Sequence, residues 1–186
     1  MTKLFILLTG YLLLSQPTYS VAQNIRSSVE YKSPRAPDIR DKDPTLKRCC
    51  EKIMKATPCI FFLHDRNGKM RFRVLGVYTH GATLFFLLRL NNRSSLDYDV
   101  DSIRFAITAA AGAKGLHPGS KALQPVYIYD STATVPGFRR ATTIYALRRF
   151  TLLPGRQLQI VVWERNGGRH LRIQATNNVL ERARRI

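Results

Sequence analysis

The chain has 186 residues, 45% of them hydrophobic, and its 30 lysines and arginines against 12 acidic residues give a formal net charge of +18. That length fits one domain of ordinary size, and the apolar share supplies a real core, which excludes a disordered polycation. A charge so far from zero on a folded surface calls for an anionic neighbour, whether nucleic acid, acidic headgroups or an acidic protein.

At the N-terminus, Lys3 precedes the apolar stretch Leu4 to Leu14, and Ser20-Val21-Ala22 places small residues where a signal peptidase reads. Residues 1–22 are therefore expected to be a cleaved secretory signal that exports the chain from the cytoplasm. Thr9, Gly10 and Ser15 interrupt the apolar run, which falls short of the roughly 20 residues that span hydrocarbon. Residues 23–43 carry serines, Pro34 and Pro37 among many charges and read as a flexible linker.

From Asp43-Pro44 the pattern changes. An N-cap residue precedes a proline suited to the first helical turn, and Leu46, Cys49, Cys50, Ile53 and Met54 recur at helical spacing, so one short amphipathic helix is predicted before Pro58. Beyond Cys59 the period becomes two. Cys59 to His64 and Lys69 to Thr79 form a predicted hairpin across Asp65-Arg66-Asn67-Gly68. Thr83 to Leu90 follows, then a loop from Asn91 to Ser95. In the next strand Ile103, Phe105 and Ile107 share the core face and the other face is wet.

A glycine-rich loop over 109–120 leads to predicted strands at Val126 to Tyr129, Thr142 to Leu152 and Gln157 to Glu164. Asn166-Gly167-Gly168 joins the last of these to His170-Leu171-Arg172-Ile173 as a second hairpin, its glycines permitting the turn. Val179, Leu180, Ala183 and Ile186 suggest a terminal helical turn or two. The fold class is all-β: an antiparallel β-sandwich of about seven or eight strands over residues 44–186, preceded by one short helix.

Three cysteines, Cys49, Cys50 and Cys59, in a chain bound for an oxidising compartment allow one internal disulfide and leave one thiol over. Adjacent Cys49 and Cys50 bridge each other only with strain, so Cys59 is the better partner for either. Three reduced, partly buried thiols are the competing state.

The residues that chemistry requires do not assemble into a catalytic motif, and the chain reads as a non-enzyme with no cofactor. His64, His80, His117 and His170 fall in separate segments without metal-ligand spacing, and the glycine-rich loop lacks the spacing of a phosphate-binding loop. Asp97, Asp99 and Asp101 alternate as calcium-loop ligands do, but Ser102 stands where glycine is wanted and Thr108 where a glutamate is wanted. A solvated face leading into a strand is the expectation there. Arg139, Arg140, Arg148, Arg149, Arg165, Arg169, Arg172, Arg182, Arg184 and Arg185 interleave with aromatics, a weak sign of nucleic-acid binding that any basic sandwich would also give.

Three stretches carry a more specific signal. Gly76-Val77-Tyr78 followed by Leu84 through Phe105, with Asn91-Asn92-Arg93-Ser94-Ser95-Leu96-Asp97-Tyr98-Asp99-Val100-Asp101 at its centre, resembles the TraN family of conjugative transposons. So do Arg149-Phe150-Thr151-Leu152-Leu153-Pro154 and Glu164-Arg165-Asn166-Gly167-Gly168-Arg169-His170-Leu171. The likeness covers roughly residues 50–186. Family members carry a further N-terminal β region, in whose place only residues 23–43 stand. The resemblance implies a non-catalytic periplasmic component of a conjugative type IV secretion apparatus, part of a hetero-oligomer with other subunits and near the outer membrane. Arg104, Arg148 and Arg169 are then candidates for subunit contacts. The alternative is a stand-alone basic module for nucleic acid or lipid headgroups.

Overall fold

A computed structural model describes residues 43–110 and 119–186. The signal segment, nearly all of the linker and most of the loop at 109–120 lie outside the described residues. The chain enters through helix α1 (Pro44–Lys55), which begins as the sequence requires: the Asp43 carboxylate accepts from the backbone N–H of Thr45 at 2.9 Å and of Leu46 at 3.4 Å, and Pro44 occupies the first turn. Lys52 and Lys55 lie in the last turn, where the helix dipole favours cations.

Eleven strands follow: β1 (His64–Asn67), β2 (Met70–His80), β3 (Thr83–Asn92), β4 (Tyr98–Ala109), β5 (Lys121–Leu123), β6 (Pro125–Tyr129), β7 (Thr134–Val135), β8 (Arg140–Arg148), β9 (Arg156–Glu164), β10 (Leu171–Ala175) and β11 (Arg184–Arg185), with a short helix α2 (Asn177–Glu181) between the last two. They form two sheets. One runs β1-β2-β3-β8-β6, with β11 added beside β2; the other runs β10-β9-β4-β5, with β7 added beside β4. Every pairing is antiparallel except that of β11 with β2. The β-sandwich expected from the alternation is the fold, and the count exceeds eight because β5, β7 and β11 are two- or three-residue strands with too few positions to show a period.

Several predicted boundaries move: β3 runs on to Asn92, and β8 spans Arg140–Arg148 and does not reach Leu152. The first hairpin turns at Gly68-Lys69, with Asn67 opposite Met70, so Asp65, Arg66 and Asn67 belong to β1 and not to the turn. Gly68 supplies the positive φ of 58°. The apolar residues Cys59 to Leu63 instead form an extended strap against a bulge in β2: the N–H groups of Cys59 and Ile60 both reach the Leu75 carbonyl, at 2.9 and 3.0 Å. At the C-terminus the helical reading holds only for α2. Arg184 and Arg185 then pair with Tyr78 and Thr79.

The sheets pack through Phe72, Val74, Phe86, Leu88 and Leu90 on one side and Phe105, Leu158, Ile160, Val162 and Leu171 on the other. Phe105 bridges the layers, with ring centroids 5.5 Å from Phe86 and 5.3 Å from Tyr145. A second cluster lies on the outer face of the first sheet, where α1 sets Cys49, Cys50 and Ile53 upon Leu75, Tyr78, Phe85, Leu87, Tyr127, Ile144 and Ala146. That half of the sheet is buried on both faces, which is why β3 reads Leu84-Phe85-Phe86-Leu87-Leu88 without alternation. Among the described residues no helix covers the outer face of the second sheet, where Arg104, Trp163, Arg172 and Gln174 are exposed.

Candidate functional site

Four connections converge at one end of the sandwich: the β1–β2 turn, the β3–β4 loop (93–97), the β7–β8 loop (136–139) and the β9–β10 loop (165–170). The β9–β10 turn takes its positive φ at Asn166 and not at a glycine. Gly167 is needed for a different reason than the one the sequence suggests, because a Cβ there would collide with the carboxylate of Glu164, which folds over the turn.

Glu164 is held in that place by Arg169. The Arg169 backbone N–H donates to Glu164 Oε2 at 3.0 Å, its Nε donates to Oε1 at 2.8 Å, and Nη2 pairs with Oε1. The same Nη2 donates to the Asp97 carbonyl at 2.7 Å, and the guanidinium lies 5.1 Å over the Tyr98 ring. Tyr98 answers by donating its hydroxyl to the Arg169 carbonyl at 2.9 Å. Burial pushes the Tyr98 pKa up, Glu164 adds to the rise and Arg169 opposes it. Burial also pushes Glu164 up, but the hydrogen bonds and charge of Arg169 outweigh it and hold the carboxyl below its ordinary range.

Asn92 closes the second half of the arrangement. It is buried at the end of β3, donates from Nδ2 to the carbonyls of Leu96 (2.7 Å) and Val135 (3.1 Å), and accepts from Ser94 N and Oγ. The β7–β8 loop packs on top: Gly137 N donates to Asp97 Oδ1 at 2.9 Å, Phe138 N donates to the Ser94 carbonyl at 3.0 Å, and a Cβ on Gly137 would come within 2.6 Å of the Ser95 carbonyl oxygen. On the β1 side, Asn67 Nδ2 reaches the carbonyls of Gly168 and His170, and Asp65 Oδ2 accepts from Arg172 N at 2.6 Å. Upon this cross-linked end stand two large apolar side chains on adjoining loops, Leu96 at 69% and Phe138 at 73% exposure.

Of the three arginines singled out in the sequence, Arg169 is the keystone of this end and is engaged within the chain. Arg104 lies on the outer face of the second sheet, its guanidinium 5.9 Å from the Trp163 ring and its Nε donating to Ser102 Oγ. Arg148 ends β8 on the exposed surface, where it and Val126 line two open grooves of about 860 and 540 Å³. The structure does not bring these three together. Sequence reasoning missed Asn92, Tyr98 and Glu164, although all three stand inside the stretches that carried the family resemblance.

The other candidates disperse. Asp97 and Asp99 accept from Gly137 N and Thr134 Oγ1, and Asp101 from Ser102 Oγ. His80 Nδ1 sits 2.9 Å from the Ile186 carbonyl, and the His170 ring lies tilted against Trp163, centroids 4.4 Å apart. No group of three His, Cys, Asp or Glu that could hold a metal occurs among the described residues. Cys49, Cys50 and Cys59 are free thiols, the first two buried beneath α1. Burial, with Cys49 and Glu51 adding, pushes Cys50 up to about 12. No helix among the described residues is long and apolar enough to cross a membrane.

No curated protein matches the chain. Residues 44–185, from the first turn of α1 to the end of β11, match the family described as a domain of unknown function, DUF4138. That span takes in both sheets and the whole cross-linked loop end, and the chain belongs to this family.

Proposed function

We propose that the protein is a periplasmic structural component of a conjugative DNA-transfer apparatus of the TraN kind, acting through protein contacts made by the loop end of its sandwich. One observation carries this reading: two of the segments whose sequences resemble TraN, the one with Asn91 to Asp101 at its centre and Glu164 to Leu171, meet in space through Arg169, Glu164, Asp97 and Tyr98. A network this interlinked fixes the backbone of loops that would otherwise move, and fixed loops with exposed apolar side chains suit a protein interface. Leu96 and Phe138 are the anchors in this reading, and the surrounding polar loop groups form its rim.

The test is co-purification of the tagged full-length protein from the envelope of cells carrying the transfer genes, with partners identified by mass spectrometry. Other conjugation subunits are expected with the wild type, and few or none with Leu96→Asp/Phe138→Asp. Recovery of no transfer subunit with the wild type, or equal recovery with the double variant, overturns the assignment of this end as the contact surface.

A further inference from the structure

Helix α1 covers only one half of the outer face of the first sheet, and the other half is lined with arginines. Residues directly opposite one another on neighbouring strands share a face. The register places His64, Arg73, Arg89 and Thr142 in one row across β1, β2, β3 and β8, and Arg66, Arg71, Asn91 and Arg140 in the next. Within a row neighbours stand about 5 Å apart, and the rows are about 7 Å apart along the strands. Five arginines and a histidine therefore tile a surface four strands wide.

Nothing among the described residues neutralises them. The one described acidic residue on these strands, Asp65, lies opposite Phe72 and so faces the other way, toward the sheet interior and Arg172. Arg89 makes one hydrogen bond, to Thr142 Oγ1 at 3.2 Å, and Arg66 Nε is taken by the Gly68 carbonyl. Arg71 Nε is buried with no hydrogen-bond partner, an arrangement that costs free energy until an acceptor arrives. Burial, and after it the neighbouring charges of Arg140 and Arg73, lower the Arg89 pKa. Beside this surface the strap that precedes β1 exposes two phenylalanines, Phe61 at 64% and Phe62 at 57%.

We propose that this half-face binds single-stranded nucleic acid, with the two arginine rows holding successive phosphodiesters and Phe61 or Phe62 stacking on a base. The match rests on three features together: guanidinium forks that fit phosphate oxygens, positive charge that repeats along each row as a linear polyanion requires, and exposed planar rings at the border. The two rows lie on the outer face of the first sheet, adjoining the loop end but without Leu96 or Phe138, and binding there goes beyond an assembly role, so its failure leaves that role standing.

The measurement is fluorescence anisotropy of a labelled oligodeoxythymidylate of about 15 nucleotides with the full-length protein, across a salt series. Each lost phosphate contact on a single strand lowers the slope of log affinity against log salt by about 0.7. Arg73→Gln/Arg89→Gln is expected to lower it by about 1.4 and to weaken binding about tenfold, whereas Arg182→Gln/Arg185→Gln, the same charge change elsewhere, has a much smaller effect. If Arg73→Gln/Arg89→Gln does not fold, Arg66→Gln/Arg140→Gln in the other row carries the same test. Equal losses in patch and control variants overturn the proposal, as does tighter binding to polyglutamate or to phosphatidylglycerol vesicles than to the oligonucleotide at matched salt.

Discussion

Tyr98 and Arg169 hold each other twice: the Tyr98 hydroxyl donates to the Arg169 carbonyl at 2.9 Å while the Arg169 guanidinium lies 5.1 Å over the Tyr98 ring. Neither contact is local, because 71 residues separate the two. The pair therefore ties the β4 end of the second sheet to the turn that closes the same sheet, and it fixes the loop surface on which Leu96 and Phe138 stand.

Glu164 titrates below the ordinary carboxylate range because Arg169 favours its charged form more than burial opposes it. A carboxyl lowered in the folded state contributes stability that is present above its unfolded pKa of about 4.3 and is lost as pH falls through the folded value. Glu164→Gln should therefore lower stability by about 1–2 kcal/mol at pH 7, and the gap to the wild type should close toward pH 3. Urea denaturation at pH 7, 5 and 3 measures this. A gap independent of pH would show that the charge of Glu164 is not what matters.

Asn92 discriminates between two kinds of loss. Asn92→Ala removes the side-chain donor to the Leu96 and Val135 carbonyls, of which Leu96 keeps the Ser94 hydroxyl, and should cost about 1–2 kcal/mol. Asn92→Asp keeps the shape but removes both donors and puts a carboxylate in their place, against two carbonyl oxygens in a site that is 1% exposed. It should be the worse of the two at pH 7, and should recover part of its deficit in acid as the carboxyl takes a proton. Thermal melts of both variants at pH 7 and 5 decide it.

Gly76 has no room for a methyl group. A Cβ there would come within 2.7 Å of Tyr78 Cε2, and that ring is itself pinned beneath α1 at 2% exposure. Gly76→Ala should cost about 1–3 kcal/mol by overpacking. Pairing it with Tyr78→Leu, which removes the ring, should recover part of the loss, and a double-mutant cycle reads the coupling. Simple additivity of the two changes would mean that the ring moves aside freely.

Cys50 is fully buried, and its thiol pKa is pushed up to about 12, so the thiolate that reacts with electrophiles is scarce as well as shielded. Native protein treated with iodoacetamide at pH 8 should leave Cys50 unmodified, and modification should appear only at denaturant concentrations that unfold the chain. Tandem mass spectrometry of the tryptic peptide containing Cys49 and Cys50 separates the two positions. Labelling of Cys50 in the native state would mean that α1 lifts from the sheet.

What the sequence showed of this molecule follows the physical range of each signal. The capping of α1 was legible because Asp43, Pro44 and the apolar spacing act within one or two turns, and β4 was legible because Ile103, Phe105 and Ile107 alternate over one buried face. The β1 strand was misplaced because Asp65-Arg66-Asn67 carries turn residues, while the strength of that hairpin lies in cross-strand pairs with Met70 to Arg73 that composition does not reveal. The Arg169 cluster was out of reach for a related reason. Arg169 read as a candidate for subunit contacts, because its engagement within the chain depends on β4 and β9, distant in sequence, lying side by side. The outer arginine rows were likewise split among β1, β2, β3 and β8, and only the register collects them.

The two-sided burial of β3 also bears on how the chain folds. Leu84-Phe85-Phe86-Leu87-Leu88 is an uncharged, β-prone run of the kind that stacks into fibrils when left open. β2 lies next to it in sequence and pairs early, but β8 arrives more than fifty residues later, and non-local pairings form slowly. In the folded chain α1 covers the outer face of β3. Variants that weaken this helix are therefore expected to appear first as insoluble protein made during synthesis, before they register as a lower melting point of the molecules that succeed in folding, and soluble yield set beside melting temperature checks it.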